Sequence, residues 1–174
     1  MKMKKKNSTF LLIFFIIVLM FLFLNFFSLQ LLNIQNYSDG EVIFQGIVTP
    51  GEIFTLKYTH SVAGTPVWEF FKINKKEELV LVETHFLDHG AGLPYTAFDD
   101  EFFVNEDGKF KIKNMSRKIS LPLYYRIGKI RDNHFIYKSK DINLSEIMGD
   151  NVATITITRM NLFYYLLYKF FDYK

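Results

Sequence analysis

The chain has 174 residues, of which 49% are hydrophobic and 18% aromatic, and it contains no cysteine. This length accommodates one domain with an appended segment, and the absence of cysteine excludes disulfides, a thiolate nucleophile and cysteine-based zinc sites. Lys2, Lys4, Lys5 and Lys6 are four of the 21 basic residues, so the rest of the chain has 17 basic against 18 acidic residues. This near-neutral body lacks the basic surface that a nucleic-acid partner requires.

The N-terminal part of the chain predicts a membrane anchor. Residues 10–24 are all apolar, and the apolar character continues to Leu32. A helix of ~20 residues crosses the hydrocarbon core of a bilayer. The run does not end in the small residues of a signal-peptide cleavage site, which favours an uncleaved anchor over a cleaved signal peptide.

The lysines before this run predict its orientation. Basic residues concentrate on the cytoplasmic side of a membrane helix, and no basic cluster follows this one. We therefore expect a single-pass cell-membrane protein with its N-terminus inside and its C-terminal domain extracytoplasmic. The expected parts are a cytoplasmic basic segment, the membrane anchor, a linker, an extracytoplasmic β domain and an aromatic C-terminal segment, at residues 1–9, 10–32, 33–40, 41–160 and 161–174.

The body of the chain has the pattern of an antiparallel β domain. Short apolar runs alternate with turn residues, and the runs at 53–62, 67–73 and 79–86 are close enough to form a meander. Residues 105–108 predict a further hairpin, and the β-branched run at 152–158 predicts another strand. The expected fold is mostly β, an antiparallel sandwich or a partly open barrel.

The last fourteen residues depart from this β pattern. Asn161 is a suitable cap for a short helix over Leu162–Phe171, which carries Phe, Tyr and Leu around most of its circumference. About ten residues are too few to span a membrane. Three environments stay open for this segment: packing on its own domain, the membrane interface, and contact with a partner protein.

Two polar segments with turn residues hold the candidate site. With a four-residue hairpin loop, His60 lies opposite Glu69, and Glu83 or Thr84 lies beside Glu69 on the next strand. His60, Glu69 and Glu83 then form a row at the ~5 Å spacing of opposed residues. Such a row can bind a cation, recognise a small polar ligand or respond to protons. The alternative is a structural pair of His60 and Glu69 at a sheet edge, and a slip of one residue removes the row.

Further interaction candidates accompany this row: Ser61, His85, Gly90, Gly92 and Pro94. The glycine-bearing loop lacks the phosphate-binding patterns, so its glycines are expected to allow positive φ or close backbone approach in a loop that shapes a binding surface. Ser61 and His60 are neighbours on a predicted strand and point to opposite faces, which excludes a nucleophile–base pair. Trp68 is expected to be a packing residue. No catalytic residue, metal-ligand set or cofactor is predicted.

A set of motifs spans both segments: Tyr58, His60-Ser61-Val62, Thr65-Pro66-Val67, Glu69, Phe70 and Gly90-Ala91-Gly92-Leu93-Pro94. With these motifs the chain resembles a bacterial family catalogued as domain of unknown function 1850. The resemblance implies a small exported or membrane-anchored protein encoded beside TRAP transporters of the TAXI type, which use an extracytoplasmic solute-binding protein. It supplies no catalytic residue.

These features favour a membrane-anchored extracytoplasmic accessory or binding protein over an enzyme. The resemblance implies that its partner is a TAXI-type solute-binding protein or a TRAP transporter subunit. The alternative is an envelope hydrolase or metal-dependent enzyme that uses His60, Glu69 and Glu83, with His85. A third hypothesis is a structural envelope protein whose aromatic C-terminal segment rests on the membrane.

Overall fold

A computed structural model describes residues 3–88, 96–98 and 100–171. The chain falls into two compact units, one within residues 1–31 and 159–174, and the β unit, Leu32–Thr158. In chain order the described elements are α1 (Met3–Phe26), β1 (Ser28–Asn36), β2 (Val42–Val48), β3 (Ile53–Thr59), β4 (Pro66–Ile73), β5 (Leu79–Phe86), β6 (Phe102–Glu106), β7 (Lys109–Lys113), β8 (Arg117–Ile119), β9 (Leu123–Ile127), β10 (His134–Tyr137), β11 (Lys140–Asn143), α2 (Leu144–Met148), β12 (Asn151–Asn161) and α3 (Leu162–Phe171).

The strands form two antiparallel sheets. The small sheet has four strands in the order β2-β1-β12-β9. The large sheet has the order β11-β10-β3-β4-β5-β7-β6, and β8 also pairs with β5. The predicted mostly β antiparallel fold is therefore confirmed, together with the apolar N-terminal helix and the aromatic C-terminal helix.

An aromatic cluster joins the two sheets within the β unit. Phe44 of the small sheet lies 4.9 Å from Phe135 of the large sheet, ring centroid to ring centroid, and Phe135 lies 5.4 Å from Phe54. All three side chains are buried in one continuous core. Burial of one such side chain stabilises a fold by ~1.5–3 kcal/mol, so the core substitutes for the disulfides that this chain lacks.

The end of the N-terminal helix differs from its predicted position. α1 ends at Phe26 and β1 begins at Ser28, so the anchor predicted at residues 10–32 and the linker predicted at 33–40 extend over residues of a strand. β1 lies between β2 and β12, away from the edges of the small sheet. A central strand is apolar without strict alternation, so hydropathy alone cannot separate it from the apolar helix before it.

α1 itself has the character of a membrane helix. Its stretch Ser8–Phe26 is long and apolar enough to cross a membrane, and none of it is buried within the protein. A signal sequence near an N-terminus shares these properties. The helix is thus a candidate anchor or signal sequence.

The hairpin predicted at residues 105–108 is confirmed, between β6 and β7. Asp107 and Gly108 form its two-residue turn, with φ values of 55° and 70°. Positive φ at both positions is the signature of a type I′ turn, whose twist matches that of the flanking strands.

Truncation of Phe135 tests the core. Phe135→Ala removes the ring that contacts both sheets, so we expect a loss of about 3–5 kcal/mol in the free energy of unfolding, measured by denaturant titration. Ile130→Ala is the matched control, because Ile130 is 93% exposed and its truncation is expected to change stability by less than about 0.5 kcal/mol. Equal effects of the two substitutions would contradict this description of the core.

Candidate functional site

The alignment of β3, β4 and β5 decides which predicted site residues share a face. Glu69 on β4 pairs with Leu56 on β3 and with Thr84 on β5. Opposed residues in an antiparallel sheet point to the same face, and both Leu56 and Thr84 are buried. Glu69 therefore lies on the core-facing side of the large sheet.

A bulge between β4 and β5 places Glu83 on the other side. Phe70 pairs with Glu83 but Phe71 pairs with Leu81, which leaves Val82 as the extra residue of β5. Phe70 and its partner Glu83 consequently face away from the core. The prediction that Glu83 or Thr84 lies beside Glu69 is confirmed for Thr84, and Glu83 does not share the face of Glu69 as the predicted row requires.

His60 is also outside the predicted row. β3 ends at Thr59, and His60 lies in the turn that follows. Its ring Nδ1 accepts hydrogen bonds from the backbone N–H groups of Val62 and Ala63, at 3.3 and 3.1 Å. His60 therefore stabilises its own turn, as Asn and Asp commonly do. Ser61 is exposed in the same turn. The predicted row of His60, Glu69 and Glu83 does not form.

The carboxyl group of Glu69 meets a tyrosine instead. Tyr58, its diagonal neighbour on β3, acts on the Glu69 carboxyl group through hydrogen bonding, and each side chain shifts the pKa of the other. Burial raises the pKa of Glu69 above its ordinary value, although the hydrogen bond from Tyr58 acts in the opposite direction. Burial also raises the pKa of Tyr58, and the charge of Glu69 raises it further. The pair therefore combines a neutral hydroxyl with a carboxyl group that holds a proton more tightly than usual.

The small sheet contributes a second tyrosine to this region. The ring centroid of Tyr125, on β9, lies 6.4 Å from that of Tyr58, and the Tyr125 hydroxyl accepts a 3.0 Å hydrogen bond from Asn133 Nδ2. Burial raises the pKa of Tyr125, Asn133 lowers it, and the charge of Glu69 raises it. We call Tyr58, Glu69 and Tyr125, together with Arg131, the polar cluster.

Arg131 supplies the positive charge of the polar cluster. Its charge lowers the pKa of both Tyr58 and Tyr125, opposite to the effect of Glu69. The stem of Arg131 packs over Gly128, where an added Cβ would come within 2.9 Å of its Cγ and Cδ. The cluster thus has a carboxyl group and a guanidinium group that both act on the two tyrosine hydroxyl groups.

A second arrangement lies on the outward face of the large sheet. His85 Nε2 is 2.6 Å from a carboxylate oxygen of Glu83, and the ring of Phe70 lies 4.6 Å from the imidazole. Trp68 is half-buried under Lys109, whose ammonium lies 4.2 Å from the ring centroid. Trp68 therefore packs against its own sheet, as predicted. The sheet separates this pair from the polar cluster.

An ionic cluster surrounds His134 of β10, and the sequence alone does not predict it. The two ring nitrogens of His134 lie 2.6 Å from Asp141 and 2.9 Å from Asp132, and Lys57 lies 2.8 Å from Asp132. Burial lowers the pKa of His134, but its hydrogen bonds to the two aspartates outweigh burial and raise the pKa. The spacing of Asp132 and His134 is visible in the sequence, whereas Asp141 joins them only through the β10–β11 register.

The alternative prediction of a metal-dependent enzyme or hydrolase requires a metal site or a nucleophile next to a base. Among residues 3–88, 96–98 and 100–171, no group of three or more His, Asp or Glu side chains is placed to hold a metal ion. The histidines within these ranges are His60, His85 and His134, and none of them has a Ser or Thr hydroxyl as a hydrogen-bond partner there.

The predicted loop residues lie outside the described residues: Gly90, Gly92 and Pro94.

Comparison with known proteins adds one finding. A family model described as "Domain of unknown function (DUF1850)" matches residues 54–144, just over half of the chain. The match includes the polar cluster and the His85–Glu83 pair, but neither α1 nor α3. No curated protein and no solved structure matches the chain.

Replacement of Glu69 by glutamine tests the raised pKa of its carboxyl group. Because the pKa of Glu69 in the folded protein lies above the ordinary 4.5, the folded state binds a proton more tightly than the unfolded state. The Glu69 contribution to stability should therefore be lost as pH rises from 4.5 through the raised pKa. Glu69→Gln cannot ionise and keeps an acceptor for Tyr58, so its stability relative to wild type should increase from acidic to neutral pH. Denaturant titrations at both pH values measure this change.

Glu52→Gln is the control, because its effect on stability is expected to change with pH in the opposite direction. Burial raises the pKa of Glu52, but hydrogen bonds from Lys138, Tyr137 and the Thr49 N–H lower it to about 2. Its contribution is present above the ordinary pKa of 4.5 and is lost as pH falls toward 2, so Glu52→Gln should destabilise the protein most at neutral pH. The raised pKa of Glu69 would be refuted if Glu69→Gln and wild type differed in stability by the same amount at acidic and neutral pH.

Proposed function

The chain belongs to the DUF1850 family, whose description assigns no function, and we propose that it is a membrane-anchored extracytoplasmic accessory or binding protein. The observation that carries this proposal is the position of Glu69 on the core-facing side of the large sheet. Burial of an ionisable group opposes folding, and an apolar side chain of similar volume serves stability better. Groups with such perturbed pKa values cluster at functional sites. We therefore assign ligand or partner recognition to the polar cluster.

The proposed location follows from α1 and its flanking charges. α1 is apolar along a membrane-length stretch, and four lysines precede that stretch. By the positive-inside rule, this pattern supports a cytoplasmic N-terminus and an extracytoplasmic β unit. In that compartment the protein would meet solutes and solute-binding proteins.

The proposed partner is a transporter. We infer that the chain assists a TRAP transporter of the TAXI type, through its solute-binding protein or a membrane subunit, and the support for this partner is the family resemblance of the motifs at residues 58–70. The chemistry of the polar cluster suits a polar contact, because it offers both a carboxyl and a guanidinium group. Hydrogen bonds to charged groups contribute ~1.5–3 kcal/mol each.

Binding is favoured over catalysis by the directions of the side chains. Glu69 faces the core, whereas Glu83 and His85 face outward. Groups on opposite faces of a sheet cannot converge on one reacting atom, as an acid–base or nucleophile–base pair must. The ionisable residues of β4 and β5 therefore do not form one catalytic centre.

Co-purification tests the accessory function. Full-length protein extracted from its native membranes in mild detergent should recover transporter components, and Glu69→Gln should weaken their recovery by about tenfold or more if Glu69 forms a charged hydrogen bond with the partner. Glu52→Gln should recover them as wild type does, because Glu52 is bound to Lys138 and Tyr137 and lies outside the polar cluster. Since Glu69→Gln is expected to fold stably at neutral pH, a loss of partner would report a lost contact. Repeated recovery of no transporter component would contradict the proposed partner.

A second candidate function rests on the His85–Glu83 pair. An imidazole held 2.6 Å from a carboxylate resembles the base and its orienting group in hydrolases. The accessory proposal predicts no hydrolysis across a panel of ester, amide, phosphoester and glycoside substrates, and no bound metal by elemental mass spectrometry. Hydrolysis that is lost in His85→Ala but retained in His134→Ala would establish the enzyme instead.

A further inference from the structure

The C-terminal helix α3 exposes most of its apolar surface. Nine of its ten residues are Leu, Phe or Tyr, and none of the ten is buried. Exposure reaches 77% at Phe170 and 70% at Phe171. A contiguous apolar surface of this kind marks a contact with a protein or a membrane.

The start of α3 is fixed to the end of α1, which belongs to the same compact unit. The rings of Phe21 and Phe163 meet edge to face, with centroids 5.3 Å apart. The backbone N–H of Leu162 donates a 2.8 Å hydrogen bond to the carbonyl of Phe27. These two contacts fix the position of the start of α3 along the axis of α1.

This position lies near the C-terminal end of the membrane-length stretch of α1. The stretch ends at Phe26, and Phe21 lies five residues earlier, or ~7.5 Å along the helix axis at 1.5 Å per residue. The first turn of α3 therefore lies beside the last turns of α1, where the hydrocarbon core of a bilayer gives way to the headgroup region. Aromatic residues with a polar tip concentrate in this region.

We propose that α3 is a second membrane contact, which lies in the interfacial region of the leaflet around the C-terminal end of α1 and buries its exposed face in lipid. This inference rests on the proposed function in one respect, namely that α1 is inserted in a bilayer. At ~15 Å, ten residues are too short to span, so α3 lies in the interface. Because α3 contacts Phe21 of α1 and Phe27 directly after α1, its interfacial position restricts the tilt and rotation of α1.

Lipid is favoured over a protein as the occupant because of α1 itself. None of the membrane-length stretch of α1 is buried in the protein, so in the proposed anchored state lipid surrounds the helix to which α3 is attached. The composition of α3 also matches an interfacial helix. Tyr164, Tyr165 and Tyr168 supply rings with hydroxyl groups, and Lys169, its single charged residue, can extend its ammonium group toward lipid phosphates.

Single-cysteine labelling of the full-length protein tests this placement, since the natural chain has no cysteine to interfere. An environment-sensitive fluorophore is attached at Leu166 or Phe170 on α3, at Ile16 within α1, or at the exposed Ile130 of the β unit. The protein is reconstituted into vesicles of phosphatidylcholine and phosphatidylglycerol that carry nitroxides at headgroup depth or at the acyl-chain ends. We expect short-wavelength emission and headgroup-depth quenching at Leu166 and Phe170, acyl-end quenching at Ile16, and water-like emission at Ile130.

The other outcomes distinguish failure of the α3 placement from failure of the α1 anchor. Water-like emission at Leu166 and Phe170, with Ile16 quenched by lipid, would overturn the placement of α3 and leave the anchor intact. Water-like emission at Ile16 would overturn the anchor and, with it, the placement of α3. Short-wavelength emission at Leu166 and Phe170 without quenching by either nitroxide would show that protein covers α3, which also overturns the proposal.

Discussion

The alignment of β3, β4 and β5 is the constraint on which the candidate site depends. Because Glu69 pairs with the buried residues Leu56 and Thr84, an ionisable side chain lies on the core-facing side of the large sheet. The bulge at Val82 sends Glu83 to the opposite face. A shift of one residue in this alignment would exchange the two faces and place Glu69 among the outward side chains.

The polar cluster differs from the structural hydrogen-bond network next to it. Asn133 is buried, and its groups bond to Gly128, Tyr125, Ser145 and Leu144, so each polar atom of that residue is used within the fold. Such a fully satisfied network stabilises one conformation. For Glu69, by contrast, the effect of Tyr58 does not offset burial, and the pKa of the carboxyl group stays raised. That difference is why we propose recognition for Glu69 and a structural role for Asn133.

Local patterns predicted much of this fold because turns and caps depend on neighbouring residues. The meander of β3, β4 and β5 follows from its turn residues, and α3 begins where its Asn161 cap predicts, with the Asn161 side chain accepting the Tyr164 N–H at 2.9 Å. The predicted row of His60, Glu69 and Glu83 does not form. Its failure comes from the bulge at Val82 and the position of the turn around His60, which both depend on pairing between strands. β1 is not predicted, because its apolar residues continue the apolar run of α1.

A direct titration of the Glu69 carboxyl group tests the central claim most sharply. The full-length protein, with 13C-labelled glutamate side chains and reconstituted in nanodiscs, is titrated by NMR, and Glu69→Gln identifies the signal of Glu69. The account predicts a midpoint above 4.5 that moves when the proposed partner, a solute-binding protein, or its solute is added, because a bound partner changes the surroundings of the carboxyl group. A midpoint at or below 4.5, unchanged by either addition, would show that Glu69 is an ordinary carboxylate and contradict the account.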